Sequence, residues 1–359
     1  IKLNNPTRNG YNFAGWTGTG LTEATSEVTI AKGSTENRTY TATWTPINYT
    51  ISYELAGGAV ATANPVSYTI ESNDIKLNNP TRNGYNFAGW TGTGLTEATS
   101  EVTIAKGSTE NRTYTATWTP IEISIDEDAE VFTASGSAAI VNVKRKITAN
   151  NWNTICLPFS MTKAMVEEVF GDEAEIAEFT GFETVYSSSN PKRPYTITLN
   201  FSTYVLTDEN VLPAGKPFLI KSMNSFDSFV VENVTISDTL TPTEGTDGDE
   251  TPGSFVGTFV KTKVPENALF VNGGKLWYSK GESNVKAFRG WFELGAVLGQ
   301  ETNFDARLII NVDGETTGID NVKEMRKTDH DVIYNLNGQR VSNTGRGVYI
   351  VNGKKVLKK

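Results

Sequence analysis

Residues 1–47 recur letter for letter as residues 75–121, an offset of 74 residues. Identity at a fixed period marks an array of small folded units, and it constrains the fold before any motif is weighed. The stretch 48–74 occurs once. A complete unit therefore runs over 48–121, and 1–47 reads as the back part of a preceding unit. A unit of about 74 residues is near the lower limit for an unaided domain, so it must fill its core with large side chains.

The unit reads as strands joined by tight turns. In NYTISYEL, Tyr49, Ile51, Tyr53 and Leu55 alternate with polar residues, as a strand with one buried face should. Gly57-Gly58 breaks it, and Asn64-Pro65 opens a turn into a second strand over 66–70. Residues 71–77 have room for one helical turn capped by Ser72 or Asn73. Asn83-Gly84 has the composition of a type I′ turn, in which both central residues take positive φ. Tyr85 and Phe87 then share a face. Strict alternation would send Trp90 to the opposite face, so a bulge at Gly89 is expected to return it. RTYTATW closes the unit with Tyr114, Ala116 and Trp118 in alternation. The expected repeat core is Tyr85, Phe87, Trp90, Tyr114 and Trp118, with Tyr49 and Tyr53.

The run GWTGTG invites comparison with a phosphate-cradling loop. Such a loop needs a helix behind it. Here LTEATSEVTI follows, rich in Thr and β-branched residues, with no Gly-Lys-Ser/Thr. The glycines are expected to serve turn and bulge.

These residues resemble a known family. NPTRNGYNFAGW followed by YTATW, and preceded by YTISYEL and NP, is similar to the Listeria–Bacteroides repeat of internalin B-repeat type. The resemblance covers residues 1–121. It implies β-grasp-like modules in tandem on bacterial surface proteins, with no catalytic residues to carry over.

From Glu122 the Asn/Thr/Gly pattern is lost, and residues 122–319 read as a β-sandwich-like domain built from short apolar or alternating runs. ITANNWNTICLPFSM reads as a buried strand ending at Pro158. One short helix is expected over 162–170, stopped by Gly171, with Ala164, Met165, Val169 and Phe170 as its apolar stripe. Residues 241–253 read as a polar, acidic surface loop. The stretch 126–128, Asp-Glu-Asp, reads as a solvated linker. Residues 320–359 divide into a charged linker over 320–331 and C-terminal hairpins signalled by Asn337-Gly338 and Asn352-Gly353. Tyr334-x-Leu336-x-Gly338-x-Arg340, Gly347-Val-Tyr349 and a basic strand resemble the end of a type IX secretion sorting domain. The expected fold class is thus mainly β and multidomain.

Chemistry is sparse. One Cys, Cys156, and one His, His330, exclude internal disulfides and any zinc site built from several Cys and His ligands. A net charge of −9 argues against a nucleic-acid partner. Asp247, Asp249 and Glu250 lack the alternating ligand series of a calcium loop. No catalytic, cofactor or metal residue is assigned, and no enzyme activity is expected. Three residues, Trp277, Tyr278 and Trp291, could stack on a sugar, although strand aromatics are usually packed. Trp277 and Tyr278, being adjacent, should point to opposite faces. Thr239, in Asp-Thr-Leu, resembles a bacterial O-glycosylation acceptor. The expected protein is extracellular or on the bacterial outer surface. Its repeats would act as a stalk and its middle domain as a structural or adhesive head. Its partner would be an unidentified host or cell-surface protein or glycan. A carbohydrate-binding module of a polysaccharide-capture system is the alternative.

Overall fold

The computed structural model of the protein describes residues 1–188, 190–247, 251–298 and 306–316, and the backbone of four short strands beyond residue 332. It is mainly β, with several separate sheets. In the first repeat, β1 (Tyr11–Gly18) pairs antiparallel with β2 (Tyr40–Pro46). The second repeat contains β3 (Tyr49–Glu54), β4 (Ser67–Tyr68), β5 (Ile75–Lys76), β6 (Tyr85–Gly92), β7 (Thr103–Ile104) and β8 (Arg112–Pro120). Its sheet has the order β4-β3-β8-β6, with β3 and β8 parallel, while β5 and β7 form a separate ribbon.

The bulge forms where alternation required it. Phe87 faces Trp118 and Gly89 faces Thr117, leaving Ala88 as the extra residue. Trp90 thereby joins Phe87, with ring centroids 5.6 Å apart, and is fully buried. Gly89 has φ +132°, and a Cβ there would lie 2.6 Å from the Thr99 nitrogen. The position needs glycine because the 98–99 backbone crosses it to bridge Trp90.

Three expectations for the repeat are corrected. Only Gly84 of the Asn83-Gly84 pair takes positive φ, so the turn is not type I′. Residues 71–77 form no helix: a hydrogen-bonded turn at Ser72 leads directly into β5. Tyr85 is outside the core, half-buried beneath the Arg82 guanidinium 3.7 Å from its ring. Its place is taken by Tyr68, Leu77, Val102 and Ile104, all buried with Ile51, Trp90 and Tyr114. Those residues lie in or directly beside short strands whose apolar content is too small to show as a period.

The middle region begins with β9 (Glu122–Asp126), β10 (Gly136–Ile147), β11 (Trp152–Ile155), α1 (Lys163–Phe170), β12 (Glu175–Ser187), β13 (Asn190–Thr203), β14 (Phe218–Lys221) and β15 (Phe226–Ile236). It continues with β16 (Thr243–Thr246), β17 (Pro252–Thr258), β18 (Thr262–Lys263), β19 (Glu266–Asn272), β20 (Lys275–Lys280), β21 (Asn284–Val285), β22 (Arg289–Glu293), α2 (Gly295–Leu298), β23 (Arg307–Val312) and β24 (Glu315–Thr316). A three-stranded sheet, β15-β10-β9, covers one core together with α1. A large mixed sheet running β20-β19-β22-β17-β16-β12-β13-β23-β24, with β14 and β11 branching from β12, holds a second core. Phe179, Phe201, Phe255 and Phe292 form its centre, the last two stacked at 4.3 Å.

The helix starts at the Thr162 cap, whose hydroxyl accepts from the Met165 N–H, and stops at Gly171, φ +99°. Its buried side chains are Val166 and Phe170, with Met165 and Val169 beside them. Ala164 is exposed, one position off the true stripe. The stretch ending at Pro158 is a turn plus the four residues of β11 rather than one strand. Residues 241–253 are not simply a loop, since β16 and β17 pair there and bury Thr243 and Gly253. Beyond the middle region, β25 (Ile333–Tyr334), β26 (Arg340–Val341), β27 (Gly347–Val351) and β28 (Lys354–Lys358) form a sheet of their own, ordered β26-β25-β27-β28. Val351 faces Lys354, which leaves two residues to connect that hairpin. The Asn352-Gly353 and Asn337-Gly338 turns themselves, and the 320–331 linker, lie outside the described residues.

Candidate functional site

The repeated sequence builds one corner twice. In each copy the Asn of the Asn-Pro pair accepts from the indole N–H eleven residues on: Trp16 to Asn5 at 3.2 Å and Trp90 to Asn79 at 3.0 Å. Arginine lies over tyrosine across the turn, Arg8 on Tyr11 and Arg82 on Tyr85. The chain leaving each copy returns to the same turn, with the Ile47 N–H donating to the Gly10 carbonyl and the Ile121 N–H to the Gly84 carbonyl. Both corners face the next unit. A Cβ on Gly10 would lie 2.5 Å from Ile70 of the following repeat, and one on Gly84 would lie 2.8 Å from the Ala138–Ala139 backbone of β10. Ala139 also donates to the Ile121 carbonyl. The first joint adds a hydrogen bond from the Tyr11 hydroxyl to the Glu71 carboxylate, which raises the phenol's pKa.

The acidic stretch 126–128 is corrected most sharply. Glu127 is 5% exposed and sits among Arg145, Arg289 and Lys286. Lys286 Nζ is 3.0 Å from Glu127 and 3.0 Å from Asp128. Arg145 is fully buried. One of its terminal nitrogens donates to the Thr154 carbonyl, and its Nε has no partner. Burial, reinforced by the Arg289 charge, pushes Arg145 well below its ordinary pKa, against the pull of Glu127. Burial lowers Arg289 as well, while hydrogen bonds to Glu127 and Asp128 raise Lys286. The cluster ties β9 and β10 to the segment before β22, where Ala287 donates to the Glu127 carbonyl. Its residues are paired with one another, and it is read as a structural tie between the two sheets.

The aromatic candidates separate. Trp291 is buried among Val264, Ala268, Phe270 and Val285, and its N–H donates to Glu293, so its ring offers no free face. Trp277 packs half-buried on that cluster and donates to the Asn272 carbonyl. Tyr278 points to the other face of the sheet, against the Phe292 core, and its hydroxyl donates to Asn267. Thr239 is exposed, in the segment after β15. Asp247 is 9% exposed, and its carboxylate accepts from the Thr251 N–H. Asp249 and Glu250 lie outside the described residues, as does His330. Among the described residues no group of three or more Asp, Glu, His or Cys is placed to hold a metal ion. Cys156 is fully buried, and burial pushes its thiol far above the ordinary range. A cavity of about 430 Å³ that the sequence did not signal opens beside Trp152, lined by Asn150, Glu175, Thr203, Lys221 and Asp313. Lys221 pairs with Glu175 and lies over the indole.

Residues 49–116 match the Listeria-Bacteroides repeat domain. Residues 2–48 match the divergent InlB B-repeat domain. The N-terminal third of this chain is a tandem of these repeats. Repeats of this kind are typical of bacterial surface proteins. No curated protein and no solved structure matches the chain. The likeness of the last strands to a sorting domain rests on their sequence motifs. No helix among the described residues is long and apolar enough to cross a membrane.

Proposed function

We propose that this is a non-enzymatic protein of the bacterial exterior. Its tandem repeats act as a spacer and its middle β region is the head they carry, structural or adhesive toward a host or cell-surface partner. The observation that carries the reading is the repeated joint: the same Gly corner seats against the next unit at Ile70 and again at Ala138–Ala139. A module that docks its successor in a fixed way can be multiplied to set a distance. Small-angle scattering of the full chain tests this. An elongated particle with the repeats in line is expected. A compact particle, with repeats folded back on the middle region, overturns it.

A second reading, carbohydrate binding, is supported by the cavity beside Trp152, where an indole, a lysine and carboxylates converge. On a glycan array this reading requires binding that Lys221→Ala abolishes without a change in melting temperature.

A further inference from the structure

The first and last strands of the complete repeat are parallel neighbours. In β3 and β8, Ile51 faces Arg112, Ser52 faces Thr113, Tyr53 faces Tyr114 and Glu54 faces Thr115. The chain enters the repeat at the start of β3 and leaves it at the end of β8. Tension between its two ends therefore draws the strands past each other along their length. Every ladder hydrogen bond is then loaded at once, whereas an antiparallel pair pulled from adjacent ends opens one bond at a time. We propose that the repeat is a mechanical clamp, built to hold under tension applied through the chain ends.

Side chains reinforce the same seam. The Ser52 and Thr113 hydroxyls are 3.1 Å apart, and the Thr50 N–H donates to the Asn111 side chain at 2.9 Å. The Tyr53 and Tyr114 rings are stacked at 6.3 Å. The Trp118 indole N–H donates to the Leu55 carbonyl at 3.1 Å, beyond the upper end of the ladder. At the lower end the Tyr68 hydroxyl donates to the Glu110 carbonyl at 2.6 Å and accepts from Arg112. On its other edge β8 is held by β6 over seven facing pairs, so β8 cannot leave with β3. Among the described residues β2, the counterpart of β8 in the first repeat, pairs on one edge only, with β1.

Forced unfolding is governed by the barrier along the pulling direction rather than by equilibrium stability. Direction of pull is therefore the discriminating variable. The full chain is held by its two termini in single-molecule force spectroscopy. The event that releases the 49–120 segment is recognised by its length gain, about 250 Å at ~3.5 Å per residue. The same chain carrying Ala56→Cys is then held at residue 56, just past the end of β3, and at the C-terminus. Cys156 is fully buried and does not compete for the handle. This second geometry peels β3 from β8 at one end. The clamp predicts a rupture force several-fold higher when the termini are pulled, from protein with the same melting temperature. Equal forces in the two geometries, or release of the segment with no resolvable force peak when the termini are pulled, overturn it. The result is independent of the spacer reading. A particle found compact by scattering could still shear hard, and an elongated one could still unzip.

Discussion

Asn79 looks like half of an Asn-Pro turn signal, but its side chain completes the core. It accepts from the indole N–H of Trp90, whose ring is fully buried. An indole N–H in that position without a partner costs about 1–3 kcal/mol. Asn79→Ala should therefore destabilise the second repeat by about that amount, read as faster hydrogen exchange at the Trp90 and Thr99 amides. Asn5→Ala, which removes the same bond in the first repeat, should cost clearly less, because Trp16 is half-exposed and water can replace the acceptor. Tyr53 gives a pH-dependent counterpart. Burial, aided by the neighbouring Tyr114, pushes its hydroxyl up to about 12. A phenol in the unfolded chain titrates near ~10. The folded state thus holds this proton more tightly. The contribution to stability is complete below pH ~10 and is lost as pH rises towards about 12. In an alkaline absorbance titration Tyr53→Phe should remove the tyrosinate component that forms last.

Among the elements, those whose form follows from a local pattern were legible, and those held by distant side chains were not. Alternation in β3 and β8, the bulge at Gly89 and both ends of α1 follow from local patterns that physics ties to one geometry. The phosphate-loop alternative fails in the structure for the reason seen in the sequence: Gly92 lies within β6 and Gly94 in a turn, with no helix after them. The Asp-Glu-Asp stretch could not be read this way. Glu127 is bonded to Arg289, 162 residues away, and lies near Arg145, which strand alternation alone would mark only as an inward charge. Thr243 and Gly253 were hidden for a similar reason: Thr243 opens the short polar β16, and Gly253, near the start of β17, is covered by the distant Phe182 and Leu294 side chains. Of the candidate stacking residues, only the opposite facing of Trp277 and Tyr278 was foreseeable. Which of the rings is covered depends on β19 and β22. The energetic consequence is sharp at Glu127. Truncating it leaves Arg145 buried without the anion nearest to it. Removing one partner of a buried ion cluster costs about 3–5 kcal/mol. Glu127→Ala should lower middle-region stability by that order in urea denaturation, whereas Lys144→Ala, which breaks the exposed pair with Asp126, should change it by less than ~1 kcal/mol.

At the scale of the whole molecule, the question is whether the units are beads on a flexible string or blocks that lock. Two joints use one corner, and in both the corner is a glycine with positive φ, +77° at Gly10 and +79° at Gly84. The conformation alone would accept Asn, which visits the left-handed region at little cost. The contact would not. At Gly84 the added Cβ meets the Ala138–Ala139 backbone at 2.8 Å, and at Gly10 it meets both the Ile70 Cδ1 at 2.5 Å, which another rotamer moves, and the Ile70 Cβ at 2.9 Å, which no rotamer moves. Gly84→Asn should therefore open the joint between repeat and middle region while both keep their own folds. Gly10→Asn should loosen the repeat–repeat joint in the same way. Gly33→Asn is the control, since Gly33 has φ +90° and nothing within 4 Å of the added Cβ. Scattering should show a broader distribution of dimensions for Gly84→Asn and the parent profile for Gly33→Asn. Proteolysis should gain a cut near residue 121 in the first variant only. If Gly84→Asn scatters as the parent does, the corner is a contact without a mechanical role, and distance along the repeats is set by the linking residues instead.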